Sequence, residues 1–194
     1  MLIAYVHGFQ SSSKAIKAQL LQSYFKNHKT NLSFVSLDFP DTPKEAYKSL
    51  RDFCKPYLKD DLCLIGSSMG GFFSTLLSIE FGFKVALINP CLHPHNFCKD
   101  LLGLQYNPET LTYFTLTQDM LLYLKKLDEL LVNYDSARIK VYLQKNDEVL
   151  DYKVALNFFA PCQKIVQEGG SHGFDNFEAV IPDILNFFTS HSFS

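Results

Sequence analysis

A serine in a glycine-flanked turn is the feature that most constrains how this chain can fold. The turn reads Gly66-Ser67-Ser68-Met69-Gly70, follows the apolar segment 62–65 and precedes a predicted helix over residues 69–81. A G-x-S-x-G turn between a strand and a helix is sharp and strained, so it needs small residues on both sides of the serine. It also lifts the serine hydroxyl above the edge of a sheet. Ser68 is therefore a candidate nucleophile on a parallel α/β sheet.

The turn has two other interpretations, a structural turn and a phosphate-binding loop. A glycine-rich strand-to-helix turn can be purely structural, with no catalytic group. A phosphate-binding loop is also glycine-rich, but it ends in a G-K-[ST] run, and this chain has no such run after Gly66. The strand–turn–helix context favours the nucleophile.

Short apolar segments alternate with longer amphipathic segments along the chain. The predicted strands are residues 2–6, 33–37, 62–65, 85–88, 139–143 and 164–166. The predicted helices are residues 14–27, 44–58, 69–81, 118–132, 152–159 and 176–189. Strands that are apolar nearly throughout are typical of strands buried on both faces. The alternation therefore predicts a six-stranded parallel sheet, in the order 2-1-3-4-5-6, with helices on both faces.

One connection departs from the alternation. From Cys91 to about Asp135 the sequence predicts no strand, although the segment is rich in Leu, Tyr and Met. A connection of that length inside a compact domain is usually functional, as a lid or a binding insertion. We predict a small helical cap over residues 91–135, inserted in a single domain over residues 1–194.

Composition excludes several classes of function. A chain of 194 residues suits one domain, and a net charge of −2 with no basic segment argues against a nucleic-acid partner. No apolar run is long enough to cross a bilayer, and we expect no signal peptide because the sequence opens directly into a predicted strand. Five cysteines in no pairing pattern indicate reduced thiols. The expected location is the cytoplasm, and the oligomeric state is not predicted.

A nucleophilic serine needs a general base, and the sequence offers one histidine in the right place. In a fold of this kind the chain order is serine, acid, histidine. Of the six histidines, His172 follows the last predicted strand, in the glycine-rich loop of residues 168–174. His191, in the C-terminal tail, is a poorer candidate. His172 is therefore the predicted base.

The orienting acid is expected just beyond the strand at residues 139–143. Asp147 stands there, and Glu148 and Asp151 are the alternatives. Asp151 precedes a predicted helix, so it is better suited to cap that helix. Asp147 is the predicted acid.

Two backbone N–H groups are candidates for an oxyanion hole. Met69 follows the serine at a helix N-terminus, and Phe9 lies in the loop after the first strand. These are the positions that supply the oxyanion hole in α/β-hydrolases. His7 precedes Ser68 in the chain, so we expect it to brace this loop through hydrogen bonds rather than to act as the base.

The segment 91–98 contains a cluster of residue types that can bind a metal ion. Cys91, His93, His95 and Cys98 lie within eight residues. Their spacing matches no common zinc pattern, and Pro94 restricts the backbone of His93. We favour a turn that leads into the cap, and we expect no metal or other cofactor.

Taken together, these motifs resemble those of the YqiA-like small bacterial esterases of the α/β-hydrolase superfamily. The motifs are Val6-His7-Gly8-Phe9, the run 66–71, Asn89-Pro90, the run 147–152, and Glu168-Gly169-Gly170 followed by His172 and Phe174. The resemblance implies an α/β-hydrolase fold and an esterase that acts on a small acyl ester, or an acyl-CoA thioester, through Ser68, Asp147 and His172. Asn146 departs from the glycine of the family pattern, but asparagine also tolerates positive φ. The segment 91–135 matches poorly, so substrate choice is not carried over. The nearer alternative is a hydrolase that uses the same three residues on another bond: a thioester, a lactone or an activated carbon–carbon bond. A non-catalytic binding protein with this fold is the alternative from another class.

Overall fold

The structure, a computed structural model, describes residues 1–190; His191 lies outside the described residues. Its strands are β1 (Leu2–Val6), β2 (Ser33–Ser36), β3 (Leu62–Ser67), β4 (Lys84–Ile88), β5 (Gly103–Asn107), β6 (Thr112–Leu116), β7 (Ile139–Gln144) and β8 (Gln163–Gln167). Its helices are α1 (Ile16–Asn27), α2 (Pro43–Cys54), α3 (Met69–Phe81), α4 (Pro94–Phe97), α5 (Gln118–Asp128), α6 (Tyr152–Phe158) and α7 (Ile181–Thr189).

Six of the strands form one parallel sheet in the order β2-β1-β3-β4-β7-β8. Counted among these six alone, the order is 2-1-3-4-5-6, so the predicted sheet is confirmed. The chain moves outward from β1 to β2 and then returns to place β3 on the other side of β1. Ligands of open α/β sheets bind at such a reversal, beyond the carboxyl ends of the strands.

Both faces of the sheet are buried, which explains why the strands lack a polar face. In β3, Leu64 faces the layer that contains Phe72 of α3, whereas Ile65 faces the layer that contains Ile184 of α7. Each of these side chains is fully buried. Burial of an aliphatic side chain of this size stabilises a fold by about 1.5–3 kcal/mol. The central strands are therefore a rigid support for the loops at their ends.

Local signals fix the ends of several helices. Pro43 opens α2, where its missing N–H costs nothing, and Gly82 ends α3 in the left-handed conformation at φ 75°. The carboxylate of Asp151 accepts a hydrogen bond from the backbone N–H of Lys153 at 2.9 Å. The predicted capping of α6 by Asp151 is therefore confirmed.

The segment between β4 and β7 contains a hairpin as well as helices. Strands β5 and β6 pair antiparallel, with Gln105 opposite Phe114. The prediction of no strand between Cys91 and Asp135 is therefore wrong. The alternation of inner and outer residues was hidden because apolar side chains, including those of Leu104 and Tyr113, lie exposed on the outer face. An apolar outer face removes the polar half of the pattern by which a strand is recognised.

None of the helices within residues 1–190 has the length and apolar composition needed to span a bilayer.

The close crossing of α3 over β1 gives a test of the fold. A Cβ atom on Gly70 would lie 2.1 Å from the carbonyl oxygen of Val6 and 2.3 Å from that of His7. Because both obstacles are backbone atoms, we expect Gly70→Ala to lower the free energy of unfolding by at least about 3 kcal/mol. Urea denaturation followed by circular dichroism measures this loss. In the control Gly82→Ala the nearest atom is 3.5 Å away, and the left-handed backbone alone should cost about 1 kcal/mol. Equal losses in the two variants would contradict the steric argument.

Candidate active site

Ser68 occupies a strained turn between β3 and α3. Its backbone has φ 53° and ψ −122°, a conformation that typically costs on the order of 1–3 kcal/mol for a residue with a side chain. Its N–H donates to the carbonyl of Ile88 at 3.1 Å, and its carbonyl accepts from the N–H of Cys91 at 3.0 Å. A Cβ on Gly66 would lie 2.6 Å from the carbonyl oxygen of Gly70. The glycines thus permit the turn, and the bonds to the end of β4 hold it.

The structure brings together Ser68, Asp147 and His172 from the ends of β3, β7 and β8. The imidazole Nε2 of His172 lies 3.1 Å from Oγ of Ser68. Its Nδ1 lies 2.8 Å from Oδ2 and 3.0 Å from Oδ1 of Asp147. A proton on Nδ1, directed at the carboxylate, leaves Nε2 as the acceptor for the serine hydroxyl. This is the relative placement of a nucleophile, a base and an orienting acid.

The Asp147 carboxylate is fixed from two sides. Its side chain is only 2 % exposed, and Oδ1 accepts hydrogen bonds from the backbone N–H groups of Val149 (2.9 Å) and Leu150 (2.8 Å). Those two bonds close a tight turn after β7 and aim the carboxylate at His172. The carboxylate is therefore held in place before any substrate arrives.

The two alternative acids have other partners. Glu148 accepts a hydrogen bond from the backbone N–H of His172 at 2.9 Å, and Asp151 caps α6. Within residues 1–190, neither carboxylate contacts the imidazole ring of His172. Asp147 is the carboxylate placed to orient it.

The predicted oxyanion donors flank Ser68. A Cβ on Gly8 would lie 3.2 Å from Cβ of Ser68, so the backbone just before Phe9 touches the serine. Met69 begins α3, where N–H groups have no acceptor inside the helix. No hydrogen-bond acceptor is found within residues 1–190 for the N–H of either Phe9 or Met69. Neither N–H is therefore engaged by another group in the described part of the chain.

His7 supports the loop that carries Phe9. Its Nδ1 donates to the carbonyl oxygen of Gly8 at 2.9 Å, and its ring stacks on Phe39 with centroids 4.0 Å apart. Burial lowers the pKa of His7 and so disfavours the charged form of the ring. The prediction that His7 braces this loop is confirmed.

Two buried side-chain amides hold the His172 loop, a role that was not predicted from the sequence. The side chain of Asn89, at φ 41° after β4, donates to the carbonyl oxygens of Ser171 (3.0 Å) and His172 (3.3 Å). Its Oδ1 accepts the backbone N–H of Gln144 at 3.0 Å. One amide therefore ties the ends of β4 and β7 to the loop that carries the imidazole.

Gln144, the last residue of β7, makes the second set of bonds. Its Oε1 accepts from the N–H groups of Ser171 (3.0 Å) and Asp175 (2.8 Å), and its Nε2 donates to the carbonyl of Asp175 at 2.8 Å. A Cβ on Gly170 would lie 2.0 Å from that Oε1, so the loop needs glycine there. The sequence signal was a polar residue that ends an apolar strand at the edge where the candidate site lies.

A lysine also contacts the His172 loop. Lys17 of α1 donates from Nζ to the carbonyl oxygen of Gly173 at 2.7 Å. Burial lowers the pKa of Lys17 to about 8, against the opposing effect of the Asp147 carboxylate. The loop is thus held from α1 as well as from the sheet.

The cysteine and histidine cluster after β4 is arranged differently from a metal site. His93 lies with Nδ1 2.7 Å from Oδ2 of Asp128, whereas Nδ1 of His95 is 3.7 Å from the same oxygen. Cys91 and Cys98 are buried in the apolar interior, which raises the pKa of Cys98 to about 12. Across residues 1–190, no group of three or more His, Cys, Asp or Glu side chains is placed to hold a metal ion.

Comparison with protein families gives one match over nearly the whole chain. Residues 1–189 match the model of UPF0227, described as an uncharacterised protein family. A UPF0227 protein of Vibrio atlanticus is 30% identical over 100 residues, which are 49% of this chain and 54% of that protein. A UPF0227 protein of Vibrio vulnificus is 28% identical over 100 residues, 49% of this chain and 53% of that protein. The chain thus aligns with about half the length of these curated relatives.

Comparison with solved structures identifies the fold. Alpha/beta hydrolase domain-containing protein 10 from mouse has a TM-score of 0.72 at 14% identity, over 95% of this chain and 89% of that one. Est1E from Butyrivibrio proteoclasticus, solved with ferulic acid bound, has a TM-score of 0.67 at 16% identity, over 96% and 87%. An esterase domain from Rhodothermus marinus has a TM-score of 0.60 at 18% identity, over 95% and 84%. These likenesses show that the chain has the α/β-hydrolase fold, as predicted.

The bonds of Asn89 make a testable prediction for stability. In Asn89→Ala, two carbonyl groups of the His172 loop and the N–H of Gln144 lose their partner. Because unpaired buried polar groups are costly, we expect the free energy of unfolding to fall by about 2–3 kcal/mol. Urea denaturation measures the loss, with the exposed Asn27→Ala as a control that should stay within about 0.5 kcal/mol of the parent. A loss below about 1 kcal/mol for Asn89→Ala would show that water replaces these bonds.

Proposed function

The chain belongs to the UPF0227 family, and from the geometry of its site we propose that it is a serine hydrolase that cleaves carboxylic esters. One observation carries the proposal: the His172 imidazole lies 3.1 Å from the Ser68 hydroxyl on one side and 2.8 Å from the Asp147 carboxylate on the other. A base in contact with both a hydroxyl and an orienting acid can activate that hydroxyl as a nucleophile.

The first half of the proposed reaction forms an acyl-enzyme. His172 takes the hydroxyl proton on Nε2 while Oγ of Ser68 attacks the ester carbonyl carbon. The carbonyl electrons move onto oxygen, where the N–H groups of Phe9 and Met69 stabilise the negative charge. When the tetrahedral intermediate collapses, the ester C–O bond breaks and the alcohol leaves with the proton from His172.

The second half releases the acid and restores the enzyme. Water gives a proton to Nε2 of His172 as its oxygen attacks the acyl carbon. Collapse of this second intermediate breaks the bond to Ser68, whose oxygen takes the proton back. The net reaction consumes one ester and one water and yields an acid and an alcohol, and we expect it to need no cofactor.

Two parts of the site are expected to supply most of the rate. One oxyanion donor is typically worth about 100- to 1,000-fold in rate. The Asp147 carboxylate keeps the imidazole in the productive tautomer and stabilises its cation, an effect of roughly 10,000-fold in a well-studied triad. The burial of Asp147 and its two backbone bonds support this role.

Structural relatives support the choice of ester chemistry. Est1E holds ferulic acid, and the Rhodothermus marinus relative is an esterase domain. Each shares the fold in which Ser68, Asp147 and His172 of this chain follow the ends of β3, β7 and β8. A small acyl ester is therefore the substrate class we propose.

The nucleophile is tested by Ser68→Ala. We expect this variant to lose at least about 1,000-fold of the activity toward p-nitrophenyl acyl esters, because no other hydroxyl contacts His172 within the described residues. A fluorophosphonate probe should label the parent protein and not the variant. The adjacent buried Ser67→Ala serves as the control and should keep both the labelling and most of the turnover. Turnover retained by Ser68→Ala would refute the assignment, and so would an unlabelled parent protein.

The acid is tested by a pair of matched substitutions. Asp147→Asn should lower kcat by roughly 10,000-fold, because the amide can present a donor to Nδ1 and select the wrong tautomer. Asp151→Asn should leave kcat within about twofold, because asparagine also caps helices. Steady-state kinetics with a p-nitrophenyl ester measures both values. If Asp151→Asn lowered kcat more than Asp147→Asn, the assignment of Asp147 as the orienting carboxylate would be wrong.

A further inference from the structure

A groove lies next to the turn of Ser68 and is not used by the reaction steps above. Its walls come from the loop after β1, the segment between β2 and α2, the first turns of α2 and α3, and Cys98. Because residues just after β1 and β2 line it, the groove lies at the carboxyl ends of the strands, where open α/β sheets bind their ligands. It is therefore a candidate site for part of a substrate.

The position of the groove relative to the reacting groups decides what it can hold. Phe9 and Met69, the proposed oxyanion donors, line it, whereas His172 does not. Because Nε2 of His172 must protonate the departing alcohol, the alcohol part of an ester lies on the side of the imidazole. The part on the other side of the carbonyl is the acyl chain. We propose that this groove binds the acyl chain and selects uncharged, apolar chains of short to medium length; the inference rests on the proposed function.

The inner surface of the groove is apolar. Phe39 and Pro43 line its walls, and Ala46 of α2 and Phe73 of α3 are each only 2 % exposed. Because α2 and α3 belong to the packed core, they close the groove below. Each methylene group that enters an apolar site typically gains about fourfold in binding. Longer chains should therefore react faster until the chain meets this floor.

The charge at the groove is negative. Asp41 lines it, and its carboxylate accepts hydrogen bonds from Nδ2 of Asn107 at 2.7 Å and Oγ1 of Thr112 at 3.4 Å. Burial lowers the pKa of His7, which also lines the groove, and so disfavours a positive charge there. No lysine or arginine lines the groove within residues 1–190. An acyl chain that ends in a carboxylate would therefore be repelled.

The β5–β6 hairpin contacts Asp41 and Phe9, two residues that line the groove. Phe114 packs edge-to-face on Phe9 with centroids 5.7 Å apart, and Gln105 accepts a hydrogen bond from Gln10 at 3.0 Å. The hairpin thus holds one wall of the groove against the loop that carries a proposed oxyanion donor. The loop after β1 therefore contributes both to the groove proposed for the acyl chain and to the proposed oxyanion hole.

The first experiment changes the depth of the groove and measures kcat/KM for p-nitrophenyl esters from acetate to dodecanoate. We expect Ala46→Leu, which fills the floor, to lower the octanoate-to-acetate ratio by at least tenfold. Phe73→Ala, which deepens the groove, should raise the dodecanoate-to-octanoate ratio by about fivefold. The neighbouring core residue Phe72 does not line the groove, so Phe72→Ala should keep the parent ratios.

A second substrate series shows which half of the ester occupies the groove. The same variants are compared on acetate esters whose alcohol grows from ethanol to octanol. If Ala46→Leu and Phe73→Ala change the preference for the alcohol while the acyl profile stays as in the parent, the groove binds the leaving group and the inference is overturned. An acyl profile that neither variant changes overturns it as well.

The charge is tested by two substrates of equal chain length. The parent should prefer p-nitrophenyl butyrate over mono-p-nitrophenyl succinate by at least tenfold, and Asp41→Asn should reduce that preference by about fivefold. Glu45→Gln removes a nearby exposed charge that does not line the groove and should leave the preference unchanged. Equal rates of the parent on both esters, or a preference that Asp41→Asn does not alter, would contradict the electrostatic selection.

The two proposals fail in different ways. If the parent hydrolyses no p-nitrophenyl ester and is not labelled by fluorophosphonate, the proposed function is wrong, and the groove assignment, which rests on it, is wrong as well. If p-nitrophenyl acetate is hydrolysed and Ser68 is labelled, but the dependence of kcat/KM on acyl-chain length is the same in the parent, Ala46→Leu and Phe73→Ala, only the groove assignment is wrong.

Discussion

The contact on which the site depends is the crossing of the first turn of α3 over the end of β1. At Gly70 the helix lies so close to the carbonyls of Val6 and His7 that no side-chain carbon fits between them. This contact sets the path of the chain through Ser68, and it brings the loop of Gly8 and Phe9 against the serine. The left-handed backbone of Ser68 is thus a consequence of helix–sheet packing, and the buried sheet supplies the stability that offsets its strain.

Hydrogen bonds from the ends of neighbouring strands place the imidazole beside the serine. Asn89 and Gln144, at the ends of β4 and β7, bind backbone groups of the His172 loop, while Glu148 binds the N–H of His172 itself. Saturated buried amides of this kind are directional, so they specify one loop conformation. The loop therefore takes its geometry from the ends of neighbouring strands.

The sequence predicted the sheet and the positions of Ser68, Asp147 and His172 because each depends on local information. Apolar runs mark buried strands, and chain order limits which histidine can follow the last strand. The hairpin was missed because Leu104 and Tyr113 are apolar on its exposed face. The bonds of Asn89 and Gln144 were not predicted because they join residues that lie 27 to 83 positions apart in the chain, and nothing local to either residue identifies its partner. Tertiary pairing of polar groups thus limited the prediction of the site.

The β5–β6 hairpin contacts residues at the groove and makes none of the bonds described for the His172 loop. It contacts Gln10, Asp41 and Phe9 at the groove, whereas the bonds that place His172 come from strand ends on the other side of Ser68. Replacement of residues in β5 and β6 would change the contacts that hold these groove residues while leaving the bonds of the His172 loop intact. The insertion is therefore a segment that can vary in sequence without disturbing the placement of Ser68, Asp147 and His172.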